Sequence, residues 1–167
     1  ISGAKNSALP LIAASLLTDR TVVLENIPRL EDVHTMLRMV RELGKDVTST
    51  GDNSVRIGGS VSSNQAPLDL VRKMRASFLV LAPLVGKTGE AEVPLPGGCN
   101  IGTRPVNLHL EGLKQLGVEI IQDDGKIVAR TEDLSGSDIF LDYPSVGATE
   151  QLLMAAVVSE GTTTIYN

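Results

Sequence analysis

Three positions in this sequence have the residue type and setting to do chemistry. The single cysteine, Cys99, stands in the stretch 94–104 (PLPGGCNIGTR), flanked by Gly97, Gly98 and Gly102. Glycines let a backbone turn sharply or come close to a ligand. Five residues on, Arg104 precedes Pro105, and together they open a helix with proline near its first position. A thiol beside a cation at a helix start has a lowered pKa and is reactive. The competing reading is a small buried apolar cysteine. The other two positions are Lys5, in GAKNS (3–7), and Arg75, in KMRAS (73–77). Each stands just before a stretch of helical pattern, where free amide donors and the positive dipole end suit an anion. A neighbouring Lys or Arg adds a full charge. The competing reading is a solvated cation beside a capping serine.

The elements that must position these residues recur. At an offset of 70, 7–25 overlays 77–95: an apolar stretch, a small polar break, then a short alternating run. At a further 71, 148–167 repeats the plan. Downstream, VHTMLRMVRELGKDV (33–47) matches VNLHLEGLKQLGVEI (106–120) at an offset of 73. The change from 70 to 73 places three extra residues in the cysteine loop. Each unit therefore reads as helix, strand, loop, helix and β-hairpin. The first helices (7–17, 77–86 and 148–159) are apolar nearly all round, so they pack together as the core. The second helices are amphipathic: Val33, Met36, Leu37, Val40 and Leu43 recur at helical spacing, as do Val106, Leu110 and Leu113. Gly44 and Gly117 stand where a glycine ends such a helix. Asp52-Asn53 and Asp123-Asp124-Gly125 read as hairpin turns. Pro10 is tolerated if its helix starts near Ser7. The units run about 1–70, 71–141 and 142–167. By the same plan the third lacks roughly 30–40 residues, so the chain reads as a piece of one domain of a longer protein.

Composition removes whole classes of function. The 167 residues carry 15 Lys plus Arg against 20 Asp plus Glu, a formal net charge of -5. A general nucleic-acid binder would show a basic surplus. Phe78, Phe140, Tyr143 and Tyr166 are too few for a base-stacking platform. No run approaches the ~18 apolar residues of a membrane span. One cysteine and two histidines, His34 and His109, make neither a disulfide nor a zinc cage. The expectation is a cytoplasmic protein with no metal, no nucleic acid and no membrane as partner. There is no GxxxxGK[ST] and no GxGxxG, so neither a P-loop nor a Rossmann site is supported. His109, on the helix after Pro105, reads as structural or solvated.

SGAKNSALP (2–10), RKMRAS (72–77), LPGGCNIGTRPVNLH (95–109) and PSVGATE (144–150) resemble the UDP-N-acetylglucosamine enolpyruvyl transferases (UDP-N-acetylglucosamine 1-carboxyvinyltransferases). The resemblance runs in order over essentially the whole chain. The cysteine loop is its most specific element. The sister family, the shikimate-pathway enolpyruvyl transferases, shares the repeated fold and the early lysine but not this loop.

The resemblance implies an α/β (α+β) inside-out barrel of βαβαββ repeats with pseudo-threefold symmetry, helices inside and sheets outside, and a second similar domain absent here. It implies transfer of the enolpyruvyl group of phosphoenolpyruvate to the 3′-hydroxyl of UDP-N-acetylglucosamine, with release of phosphate, as the first committed step of bacterial peptidoglycan synthesis. No cofactor is implied. Carried over by motif, Cys99 is the proton donor to the enol methylene and the site of a covalent adduct. Lys5, Asn6 and Arg104 contact phosphoenolpyruvate. Arg75, Arg104, Pro105, Val106, Asn107 and Leu108 contact the UDP-sugar, with Tyr143, Pro144, Ser145 and Val146 on its uridine and diphosphate side. Asn107 stands where the family usually has Asp, and Tyr143 where some members have Lys. The rival readings are the shikimate-pathway transferase and a non-enzymatic repeat module, which leaves the cysteine loop unexplained.

Overall fold

The computed structural model describes residues 3–96 and 106–167. Cys99, Arg104 and Pro105 lie outside them.

The first unit runs α1 (Lys5–Ala14) with a 3-10 turn (Ser15–Leu17), β1 (Val22–Leu24), α2 (Glu31–Glu42), and the hairpin β2 (Asp46–Gly51) and β3 (Ser54–Gly58). The second runs α3 (Leu68–Lys73), a 3-10 segment (Arg75–Val80) leading into α4 (Leu81–Thr88), β4 (Glu90–Pro94), α5 (Asn107–Gln115), and the hairpin β5 (Glu119–Asp123) and β6 (Lys126–Arg130). The third contributes β7 (Asp138–Phe140), α6 (Val146–Ala156) and β8 (Thr164–Tyr166).

The repeat is visible in the sheets. The strand orders are β1-β3-β2 and β4-β6-β5, all antiparallel, so in both units the hairpin's second strand lies centrally. Alternation sets which face is buried. Val55 and Ile57 in β3, and Ile127 and Ala129 in β6, point into the core. β7 pairs with β8 in parallel, and α6 makes the crossover that parallel pairing requires. Gln65 bridges Glu92 in the same sense ahead of the second unit's helices. Each later unit thus starts with an extended segment before its first helix.

Helix ends follow local chemistry. Gly44 (φ 108) and Gly117 (φ 92) adopt the left-handed conformation. Around them Gly44 N donates to Arg41 O and Lys45 N to Val40 O, and Gly117 N donates to Lys114 O and Val118 N to Leu113 O. These are two copies of one Schellman cap. Asp124 (φ 41) and Gly125 (φ 77) make the β5–β6 connection a two-residue turn with both φ positive.

The core forms where the first helices meet. α1 packs on the 3-10 segment 75–80, α4 packs on α6, and α1 also touches α6. Ile12, Leu16, Leu81, Leu84 and Leu152 are fully buried there. The expected packing of the three first helices is therefore present. Several boundaries differ from expectation. α1 begins at Lys5, so Pro10 is its sixth residue, beyond the first turn, and has no N–H to donate to the carbonyl of Asn6. Arg75 opens a 3-10 segment rather than preceding a helix, and α6 spans 146–156 rather than 148–159. α3 and β7 lie outside the sequence reading: six and three residues are too short for a periodicity to register.

Candidate functional site

Lys5 opens α1, Arg75 opens the 3-10 segment that follows α3, and Val146 opens α6. At Ala4 and Met74, the positions just before the first two, no side chain caps the free amides. At α6 the Ser145 Oγ accepts from Ala148 N at 3.3 Å. Uncapped helix starts leave N–H donors for water or a ligand.

These starts frame a cleft of about 480 Å³. Lys5, Asn6, Lys73, Arg75, Val106, His109, Gly147 and Glu150 stand on its wall, with Leu9, Met74, Phe78 and Leu79 forming the apolar part. Lys5 and Arg75, 70 residues apart in sequence, thus share one site. Lys5 Nζ bonds Asp32 Oδ2 at 2.7 Å, and both side chains stay over a third exposed. Asp32 sits in the first turn of α2, where the helix dipole favours a carboxylate. Lys5 is therefore aimed by a partner, and half-open for a second anion. Asn6 is exposed and Arg75 half-buried.

Among the other expected residues, Val106 lines the cleft. Asn107 is exposed and Leu108 turns into the core. Tyr143, Pro144 and Val146 are exposed and are not among the residues lining the cleft, and Ser145 is engaged as the cap of α6. The α6 segment reaches the wall through Gly147 and Glu150. Cys99, Arg104 and Pro105, to which the sequence reading gives the proton-donor and substrate-contact roles, lie outside the described residues.

The inner wall carries groups that sequence reasoning set aside. His109 is 7% exposed, and its Nδ1 bonds Gln151 Oε1. Phe78 meets the imidazole edge-on, with centroids 5.6 Å apart at 82°. Burial pushes the His109 pKa below its ordinary value, the Gln151 bond opposes that, and the Arg75 charge lowers it further. Burial also raises the Glu150 carboxyl. The available signal for this pair was Gln151, a lone amide in the apolar run QLLMAA of α6. A second hollow, about 550 Å³, lies between α2 and the β2–β3 hairpin. It gathers Arg29, His34, Arg38 and Arg41. Arg29 there bonds Asp52 Oδ1 and Arg41 bonds Val47 O, so these two cations already hold the hairpin.

A sequence model of the EPSP synthase (3-phosphoshikimate 1-carboxyvinyltransferase) family matches residues 1–167. The chain is 54% identical over 168 residues to a UDP-N-acetylglucosamine 1-carboxyvinyltransferase of Acidiphilium cryptum, covering all of this chain and 40% of that protein. A relative of the same name from Finegoldia magna is 52% identical over 169 residues, again with 100% and 40% covered. The chain spans about 40% of the length of these curated relatives. Among solved structures, the enolpyruvyl transferase NikO from Streptomyces tendae superposes with a TM-score of 0.84 at 24% identity, covering 98% of this chain and 39% of that one. EPSP synthase from Acinetobacter baumannii superposes with a TM-score of 0.76 at 17% identity, covering 100% and 39%. At those identities the likeness is one of fold: enolpyruvyl-transferase units of mixed helix and strand.

Proposed function

The chain belongs to the EPSP synthase (3-phosphoshikimate 1-carboxyvinyltransferase) family, and on that premise we propose that the protein it forms is a UDP-N-acetylglucosamine 1-carboxyvinyltransferase. It transfers the enolpyruvyl group of phosphoenolpyruvate to the sugar 3′-hydroxyl. The observation that carries this is the meeting of Lys5, Asn6 and Arg75 at one cleft, beside two helix starts with no side-chain cap. Phosphoenolpyruvate carries a phosphate and a carboxylate, which call for cations and free amides. The names of relatives at about half identity favour the UDP-sugar over a shikimate acceptor.

In this reading Lys5 holds the phosphate, with Asn6 and Arg104 beside it. Cys99 gives its proton to the methylene carbon as the sugar oxygen bonds the neighbouring carbon and loses its own proton. Loss of phosphate and of a methyl proton from the tetrahedral adduct then restores the double bond. Arg75, Arg104–Leu108 and 143–146 hold the sugar nucleotide. Residues 1–167 form one incomplete domain, and a second domain supplies the base that takes the hydroxyl proton. The setting is the bacterial cytoplasm, in cell-wall biogenesis. No described helix is long and apolar enough to cross a membrane.

The test is phosphate release by the full-length protein from phosphoenolpyruvate with UDP-N-acetylglucosamine, and separately with shikimate 3-phosphate. Release with the first acceptor alone is expected. Release with the second alone refutes the reading.

A further inference from the structure

The geometry points to His109 as a hydrogen-bond acceptor for the sugar nucleotide, a specificity-determining residue of the cleft. This rests on the function proposed above.

The argument starts from Gln151. Its side chain is fully buried, and its Nε2 donates to the backbone carbonyl of Phe78 at 3.4 Å. A carbonyl can only accept, so the amide has one orientation: nitrogen toward Phe78, oxygen toward His109. That oxygen also can only accept. The proton of the imidazole is therefore on Nδ1, and Nε2 carries the lone pair. Gln151 and the edge of Phe78 together clamp the ring.

Nε2 has no hydrogen-bond partner among the described residues, and His109 stands on the cleft wall. The space beside it is kept by Gly147. A Cβ there would lie 3.3 Å from His109 Cε1 and 3.5 Å from Nε2. Gly147 is not among the glycines with positive φ, so the reason for glycine is room and not backbone conformation.

The rest of the wall offers mainly donors and cations, Lys5, Asn6, Lys73 and Arg75, with Glu150 as a carboxyl whose pKa burial raises. Asp32 is committed to Lys5. A neutral lone pair is the wrong partner for a phosphate or carboxylate oxygen, since both would be acceptors. It suits a hydroxyl or an amide N–H. Phosphoenolpyruvate, ionised at both acid groups, brings only acceptors. The sugar nucleotide brings hydroxyls and an acetamido N–H. Burial and the Arg75 charge lower the His109 pKa against the opposing Gln151 bond, a direction that accords with the lone pair the amide geometry leaves on Nε2.

Three variants of the full-length protein test this. His109→Phe keeps the ring's bulk and removes the acceptor. We expect KM for UDP-N-acetylglucosamine to rise about tenfold or more, with KM for phosphoenolpyruvate within about twofold. His109→Gln restores an amide oxygen and recovers part of the loss. Gln151→Met frees the ring without altering the cleft wall, and moves the same constant in the same direction. Nitrogen NMR of wild-type His109 reads the tautomer directly, free and with UDP-N-acetylglucosamine, and does not depend on any variant folding. A proton on Nε2 in either state overturns the inference. So does a His109→Phe effect that is equal for the two substrates or confined to kcat. Wild-type protein that releases no phosphate from the pair refutes the proposed function, while the NMR result still decides the role of His109.

Discussion

Replacing Gly112 by alanine tests whether α5 and α6 pack so closely at Leu152 that only glycine fits between them. A Cβ at Gly112 would lie 2.6 Å from both Leu152 Cδ atoms and 3.1 Å from its Cγ. Carbon atoms rest at about 3.5–4.0 Å, so roughly 1 Å has to be found. Leu152 is fully buried and cannot swing to solvent. Two terms oppose. Alanine in place of a helical glycine gains about 0.8–1.0 kcal/mol of helix propensity. Overpacking a filled core costs about 1–3 kcal/mol. The packing term is the larger, so Gly112→Ala destabilises by about 1 kcal/mol, and by up to ~2. Urea unfolding followed by circular dichroism measures it. The control is the same substitution in a Leu152→Ala background. With the leucine gone only propensity remains, and Gly112→Ala stabilises by about 1 kcal/mol. Equal effects in both backgrounds refute the account, because the penalty would then not come from Leu152.

Lys5→Met removes the charge while keeping the stem, and in the full-length protein should lower kcat/KM for phosphoenolpyruvate by about 10²–10³, read by phosphate release. Ser145→Ala deletes the cap on Ala148 N and should cost about 1 kcal/mol by urea midpoint. The lowered His109 pKa means the unfolded chain binds its proton first as pH falls below 6.5. Stability from this group is thus present above pH 6.5 and is lost as pH falls toward the folded-state value, a slope that His109→Phe should remove in urea midpoints taken across that range. Lys45 is buried, with its amine donating to the Thr18 and Gly59 carbonyls, and burial lowers its pKa. Lys45→Met should take the amine from two carbonyls and lower the unfolding free energy by about 1–3 kcal/mol, read from urea unfolding.

Much of the fold was legible because its units repeat, and repeats turn weak local signals into strong ones. Gly44 alone is an ordinary glycine. Gly44 and Gly117 at the same place after matched amphipathic stretches announce the same cap, which the structure makes in both. Asp123-Asp124-Gly125 carried its turn in its own chemistry. Two things resisted. The 3-10 start at Arg75 has the same apolar composition as an α-helix, so composition could not separate them. Pro10 suggested a later start for α1, yet the helix keeps a proline at its sixth residue because Ala8, Leu9, Ile12 and Ala13 are buried around it. Tertiary packing there outweighs a local preference.

From residue pattern alone, the site was legible where it is repeated, and the resemblance added Asn6 and Val106 on the same wall. Lys5 and Arg75 stood out because they fall on equivalent positions, and the structure brings both to one cleft. His109 and Gln151 have no such counterpart: their pairing spans 42 residues and joins two different units. The three equivalent helix starts show how a repeated scaffold yields an asymmetric site. Two of them carry cations. The third carries Val146, which is 76% exposed, followed by Gly147, whose missing side chain leaves room beside His109. Two α-helical starts and one 3-10 start present two charges and one opening. The opening exposes a neutral acceptor where the repeat alone would have placed a third cation, so the cleft can hold an anion on one side and a hydrogen-bond donor on the other.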